Sequence, residues 1–138
     1  MKKVACILAV ITLASCSSTK TDVKKPLFEV LLSEEYGGAN FQFYEVLDSK
    51  KEINMLLSDK RLKRKVTAAD IEKSNFVLLN MGEKNTGGYK ITVTSAEELP
   101  DKIVLKVKES QPEGMATMAI TQPFAIVRVN SKKPIVFE

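Results

Sequence analysis

The chain has 138 residues, of which 44% are hydrophobic and 28% are charged, and its formal net charge is +4. This length and composition fit one globular domain and exclude a chain that is disordered throughout. The sequence contains no histidine, which excludes a Ser-His or Cys-His nucleophile, a histidine general base and a histidine-ligated metal.

The first sixteen residues read MKKVACILAVITLASC, with two lysines, an apolar run and small residues before a cysteine. The apolar run from Val4 to Leu13 is too short to cross a bilayer as a helix. The pattern is typical of a secretory signal peptide, which we assign to residues 1–15. Both cysteines, Cys6 and Cys16, lie in this region, so we expect no disulfide in the folded body.

The tetrapeptide Leu13-Ala14-Ser15-Cys16 resembles the lipobox of bacterial lipoproteins. The resemblance implies cleavage before Cys16, a diacylglycerol group on its sulfur and an acyl chain such as palmitate on the new amine. More than one acyl chain makes a membrane anchor durable. No aspartate follows Cys16, and by analogy with such lipoproteins this favours the outer membrane, on its periplasmic or surface face. An ordinary secreted protein with a chance cysteine is the alternative.

The mature chain begins with a polar stretch, SSTKTDVKKP, that shows no periodicity. We interpret residues 16–26 as a lipidated tether and residues 27–138 as the folded domain. Removing Lys2 and Lys3 lowers the formal charge from +4 to +2. That balance is too small to suggest a nucleic acid as partner.

The first half of the domain is predicted to contain two strands and a helix. Apolar residues from Leu27 to Leu32 and from Phe41 to Leu47 predict strands, and the glycines and asparagine between them predict a hairpin. Ser49-Lys50-Lys51-Glu52 has the pattern of a capping box at a helix start. The apolar spacing after it predicts a short helix to about Ser58. The segment from Thr67 to Asn75 has room for one further helical turn.

The second half is predicted to be strands separated by turns. The strands are expected at Phe76–Met81, from Tyr89, from Ile103, at Phe124–Val129 and at Ile135–Phe137. The sequence therefore predicts a mainly β (α+β) fold, an antiparallel β-sandwich or partly open barrel of about seven strands with one short packed helix.

The stretch NTGGYKITV, from Asn85 to Val93, is the first candidate for a functional loop. Its two glycines permit positive φ and close backbone approach, although a hairpin loop with a glycine bulge explains them equally. Together with VLKVKESQPEGMATMAITQPFAIVRV from Val104 to Val129, it resembles the C-terminal domain of the PrcB family. The shared features are Thr86-Gly87-Gly88-Tyr89, a Pro/Gly turn and a late Pro-aromatic pair. The resemblance implies a domain that associates with or stabilises a protease, since the namesake is a lipoprotein subunit of a bacterial surface protease complex.

The same loops are also remotely similar to the three binding loops of chagasin-type cysteine protease inhibitors. The first loop here lacks the inhibitors' proline, the middle loop has a single glycine, and Gln122 stands where those inhibitors have arginine. If the loops cluster, Tyr89 and Phe124 supply aromatic anchors of the kind that protein interfaces favour. We therefore predict a partner-binding site formed by Asn85, Thr86, Gly87, Gly88, Tyr89, Gly114, Gln122, Pro123 and Phe124.

Other candidate sites are weaker. The basic run KRLKRK, from Lys60 to Lys65, could contact anionic headgroups, but a solvated run after a helix is the favoured interpretation. Paired carboxylates at Glu34-Glu35 and Glu97-Glu98 point apart on strands. We therefore predict a non-enzymatic protein with no catalytic residues, metal, cofactor or small-molecule substrate. Its expected contacts are the membrane through Cys16 and a protein partner such as a protease. A structural envelope lipoprotein without a defined loop site is the alternative.

Overall fold

A computed structural model describes residues 25–138, so the predicted signal peptide, Cys16 and most of the predicted tether lie outside the described residues. The described part is mostly β, as predicted. Its elements, in chain order, are β1 (Phe28–Glu34), β2 (Gln42–Val46), α1 (Lys50–Ser58), α2 (Ala68–Lys73), β3 (Asn75–Met81), β4 (Lys90–Glu98), β5 (Ile103–Ser110), β6 (Phe124–Val129) and β7 (Ile135–Phe137).

The strands form two sheets and no closed barrel within residues 25–138. The four-stranded sheet has the spatial order β1-β6-β3-β2, and all its pairings are antiparallel. The three-stranded sheet has the order β4-β5-β7, in which β7 runs parallel to β5. This parallel pair departs from the antiparallel expectation. It is possible because the chain passes through the other sheet as β6 before it returns as β7, so no hairpin constrains the direction.

The main core lies between the two sheets. Alternate residues of the central strands point into it, and ten residues are buried there. Val77, Leu79 and Val127 of the larger sheet and Ile91 and Leu105 of the smaller sheet are all 0% exposed. The sandwich is thus held together by aliphatic side chains, in keeping with the absence of a disulfide from the predicted body.

A second core lies on the outer face of the four-stranded sheet, where α1 and the segment after it pack. Leu56, Leu62 and Val66 cover Phe76 and Ile126 of the sheet. The predicted capping box of α1 is present: the Glu52 N–H donates to the Ser49 hydroxyl, and the Ser49 N–H donates to the Glu52 carboxylate. The KRLKRK run is not simply solvated, because Leu62 is fully buried and Lys65 Nζ donates to the Leu31 carbonyl at 2.6 Å.

A second helix, α2, stands where only one further turn was expected, so the fold has two helices rather than one. Its capping box pairs Thr67 with Asp70, whose carboxylate accepts from the Thr67 N–H at 2.9 Å. No helix within residues 25–138 has the length and apolarity that a membrane crossing requires.

The predicted hairpin of β1 and β2 is wrong, and so is the alternative interpretation of the loop before β4 as a hairpin loop. β1 and β2 lie at opposite edges of the four-stranded sheet, and two strands separate them. Likewise, the connection from β3 to β4 joins the two sheets and does not return along one of them. In both places the turn residues were correctly recognised, but the strands on either side pair with strands that are distant in the sequence.

Candidate partner-binding site

Three connections meet at one end of the sandwich: the segment after β1 (residues 35–41), the β3–β4 connection (residues 82–89) and the β5–β6 connection (residues 111–123). We call this end the loop end. Glu35, in the first of these connections, is hydrogen-bonded to the other two. Its carboxylate accepts from the Gly88 N–H at 3.0 Å, and its carbonyl accepts from the Gln122 N–H at 2.9 Å. The Gly38 N–H in turn donates to the Gln122 carbonyl at 3.0 Å.

The β3–β4 connection supports the β5–β6 connection through its backbone. Lys84 and Thr121 exchange two backbone hydrogen bonds, of 2.8 and 2.9 Å. The buried Thr121 hydroxyl donates to the Thr86 carbonyl at 2.8 Å, and the Gly87 N–H donates to the Thr117 carbonyl at 2.9 Å. Much of the polar backbone of the predicted binding loop is therefore occupied inside the molecule.

The glycine at position 88 is required by close packing. Its φ is +88°, and a Cβ there would lie 2.6 Å from the Cβ of Pro112. A side chain would therefore have to displace the start of the β5–β6 connection. Gly114 also has a positive φ, +81°, but no heavy atom lies within 4 Å of the place its Cβ would take. Gly114 is therefore needed only for the turn.

The nine predicted site residues belong to this end, but they are not equally accessible. Asn85, Gly88 and Gly114 are exposed, while Thr86, Tyr89 and Gln122 are partly buried. The Lys84 ammonium lies 5.4 Å from the centroid of the Tyr89 ring. Gly87, Pro123 and Phe124 are buried.

The side chain of Phe124 faces the second core. Phe124 is only 6% exposed, and it packs with the residues beneath α1. The Arg61 guanidinium lies over its ring, 5.9 Å from the centroid. The Pro123 carbonyl accepts from the Met81 N–H at 3.0 Å. These two residues therefore hold the start of β6 in place.

The sequence-based prediction missed three exposed apolar residues of the loop end. Met115, Met118 and Ile120 are 104%, 87% and 59% exposed, and all three belong to the β5–β6 connection. The available signal was composition: a segment between turn residues and a strand, GMATMAI, holds three large apolar residues. Large apolar side chains that are grouped on an exposed segment mark interaction sites.

The loop end is held together by hydrogen bonds. They join backbone groups to each other, to the Glu35 carboxylate, to the Thr121 hydroxyl and to the Asn80 side-chain amide, and they fix the shape of the connections. Among residues 25–138, no group of three or more Asp, Glu, Cys or His side chains is placed to hold a metal ion. Met115, Met118 and Ile120 are exposed apolar side chains on this end.

The comparison with protein-family models concerns the same part of the chain. Residues 75–130 match the family model described as PrcB C-terminal. An uncharacterized protein of Methanocaldococcus jannaschii is 30% identical over 59 residues, which are 43% of this chain and 36% of that protein. No solved structure gives a significant match. The matched segment runs from β3 to the residue after β6 and contains two of the three connections of the loop end, so the similarity to the PrcB C-terminal family covers this part of the domain.

Proposed function

We propose that this chain is a lipid-anchored, non-catalytic protein of the bacterial cell envelope whose loop end binds and stabilises a protease or a protease complex. The observation that carries the proposal is the exposure of Met115, Met118 and Ile120 on a connection whose second half, residues 117–122, is held by hydrogen bonds. Single exposed apolar residues are common on protein surfaces, but three on one short connection are a patch. Methionine suits such a surface because its unbranched side chain adapts to the partner.

The protease is inferred from the family. The PrcB resemblance implies association with a protease, and the segment that matches this family carries the methionines. The surroundings of the patch favour protein over an anionic membrane, because the β5–β6 connection contains Glu113 and no lysine or arginine.

The geometry of the chain suits an anchored protein that presents its loop end outward. The chain enters the domain at Pro26, whose carbonyl accepts from the Asn130 side chain at 2.6 Å. β1 then runs from Phe28 to Glu34, and the loop end lies at its far end. Seven residues of strand span roughly 23 Å. An anchor at Cys16, with a tether to residue 26, would therefore leave the loop end facing away from the proposed outer membrane.

The central test compares the full chain with a Met115→Ser/Met118→Ser variant in the envelope of the host. We expect the wild-type chain to co-purify with a protease from detergent-solubilised envelope and to lengthen that protease's half-life in cells. The double variant should lose at least about tenfold in recovery, because it removes the apolar contact without touching the core. Leu57→Ser is the matched control, since Leu57 is an exposed apolar residue on α1, away from the loop end.

Equal recovery of the protease by the double variant, at unchanged thermal stability, contradicts the assignment of the loop end. If the purified chain slows the captured protease on a peptide substrate, the chagasin-like alternative is favoured over stabilisation. If no protease is recovered with any form of the chain, the structural lipoprotein alternative is favoured.

The proposed anchor has a separate test. Cys16→Ser removes the only sulfur that can carry the diacylglycerol after cleavage, so we expect the protein to move from the membrane fraction to the soluble fraction. The measurement is fractionation followed by immunoblotting. Retention of the variant in the membrane at high salt contradicts the anchor.

A further inference from the structure

A groove of about 450 Å³ lies on the outer face of the four-stranded sheet, between the sheet and α1. Its floor and inner wall are apolar: Phe43, Leu56, Leu78, Phe124 and Ile126. Met55, which is 62% exposed, forms part of the rim. The volume falls within the range of pockets that take a ligand or a large side chain.

The groove is bordered by acidic side chains. Glu45 from β2, Glu52 from α1 and Asp59 after α1 contribute three carboxylates, against the single guanidinium of Arg61. Arg61 is already paired with Asp59, at 2.7 Å between Nη2 and Oδ2. Neither Glu45 nor Glu52 belongs to an ion pair within residues 25–138. The border thus has a formal charge of −2, from three negative groups and one positive group.

Two of these carboxylates are held in the ionised form. The hydrogen bond from Arg61 lowers the pKa of Asp59, and the hydrogen bonds from Ser49 lower the pKa of Glu52. The negative border therefore persists at neutral pH and below it.

From the apolar floor and the acidic border we infer that the groove binds an extended segment of a partner protein that places a large apolar side chain on Phe43 and Leu78. A lysine or arginine next to that side chain pairs with Glu45 or Glu52. Because β2 is an edge strand, it can also pair with an extended backbone. The inference rests on the proposed function, because the segment is taken to belong to the protein that the loop end binds.

The groove is a separate surface from the methionine patch. β2, α1 and the turn after α1 supply the acidic border, and all three lie outside residues 75–130. Nonetheless the groove borders the loop end at Gly37, Gly38 and Ala39, which line it. One partner can therefore contact both surfaces, and the family match does not by itself predict the groove.

The test uses no protease, so its failure leaves the assignment of the loop end standing. The full-length chain, purified in detergent and immobilised, is used to select peptides from a random library displayed on phage. We expect the enriched peptides to carry lysine or arginine within two positions of a large apolar residue. Enrichment of acidic or uncharged peptides, or no enrichment over the bare support, overturns the proposal.

The best peptide is then measured by fluorescence anisotropy against a Glu45→Gln/Glu52→Gln variant. Glutamine at position 52 still completes the capping box, so the helix start is preserved. We expect binding to weaken about tenfold, since two charges opposite the cation are removed. Glu72→Gln/Glu97→Gln changes the net charge equally at exposed positions away from the groove and should bind within about twofold of wild type. Equal affinity for both variants overturns the charge pairing.

The methyl groups of methionine report where the peptide binds. The Met55 methyl lies at the groove, whereas those of Met115 and Met118 lie on the β5–β6 connection. In an NMR titration of methyl-labelled chain we expect the Met55 signal to shift while the other two stay in place. A shift of Met115 and Met118 alone places the peptide on the loop end and overturns the groove proposal.

Discussion

Tyr44 and Glu109 form a polar contact between the two sheets. The Tyr44 hydroxyl donates to the Glu109 carboxylate at 2.6 Å, and the Gln42 amide donates to the same oxygen. The Tyr44 ring also meets Phe137 edge-on, with 5.7 Å between centroids. Burial of the hydroxyl, followed by the hydrogen bond and negative charge of Glu109, raises the pKa of Tyr44 to about 12.

This raised pKa predicts a loss of stability at high pH. Below about pH 10, the pKa of an unperturbed tyrosine, the hydroxyl is protonated in both the folded and the unfolded chain, so the contact contributes fully. Between pH 10 and about 12 the unfolded chain ionises first, and the contribution falls as pH rises. Urea unfolding at several pH values should show wild type losing more free energy of unfolding across this interval than Tyr44→Phe. Parallel curves for the two proteins would argue against the assigned pKa.

Gly88 and Gly114 offer a matched pair of substitutions, because both have positive φ and only one is crowded. Alanine at either position adds the strain of left-handed backbone, about 1 kcal/mol. At position 88 it also collides with Pro112, and we expect a further loss of roughly 1 to 3 kcal/mol in the free energy of unfolding. Chemical denaturation of Gly88→Ala and Gly114→Ala measures the difference. Equal losses would mean that Pro112 moves aside freely.

The residues of the candidate site were predictable in position but not in role. The sequence pointed to Asn85–Tyr89 as a special loop, and of its two glycines Gly88 has the positive φ that was inferred. However, Gly88 bonds to Glu35, 53 positions away in the sequence. No local pattern encodes such a partner. The exposure of Met115 and Met118 was missed for the same reason, since an apolar residue is expected inside until the surrounding chain is placed.

At the scale of elements, alternation and short apolar runs in the sequence identified the strands of residues 25–138, and β6 and β7 have the predicted bounds. Alternation shows that a segment is a strand with one buried face, but it does not say which strand lies beside it. Turn residues after β1 suggested the neighbour that is next in sequence. In the structure the backbone at Gly38 lies against Asn80 and Gln122, and the chain crosses the end of the sheet before β2 begins.

The two helices show that a strict capping-box pattern can miss a helix start. α1 was predicted because Ser49 and Glu52 match the usual capping box. α2 uses the same device with Thr67 and Asp70, and its aspartate falls outside the Glu/Gln pattern. The shorter carboxylate still reaches the Thr67 N–H at 2.9 Å. A pattern that admitted aspartate at the fourth position would have predicted both helix starts.

At the scale of the whole molecule, β6 is the centre of stability. It pairs with β1 on one side and β3 on the other, and Ala125, Val127 and Val129 are 0% exposed. β7, by contrast, has three residues and a single neighbour. The arrangement protects the middle of the larger sheet and leaves the edge of the smaller sheet open to solvent.

Amide hydrogen exchange should follow this arrangement. We expect the slowest exchange in β6 and β3, at rates set by global unfolding, and faster exchange in β7 and in residues 111–120. Mass spectrometry of peptic fragments, or NMR of the labelled chain, provides the measurement. Protection of β7 equal to that of β6 would show that the two sheets open only together.

The central place of β6 also determines when the chain can fold. Phe28 pairs with Val129, so β1 cannot form this pairing until a residue 101 positions later in the chain is available. Contacts this distant in sequence raise the contact order, and β-rich domains of high contact order fold in milliseconds to seconds. During synthesis, a chain that still lacks β6 has β1 without a neighbour and β3 with only β2 beside it. The four-stranded sheet can thus be completed only after β6 is available, since β6 joins β1 to β3.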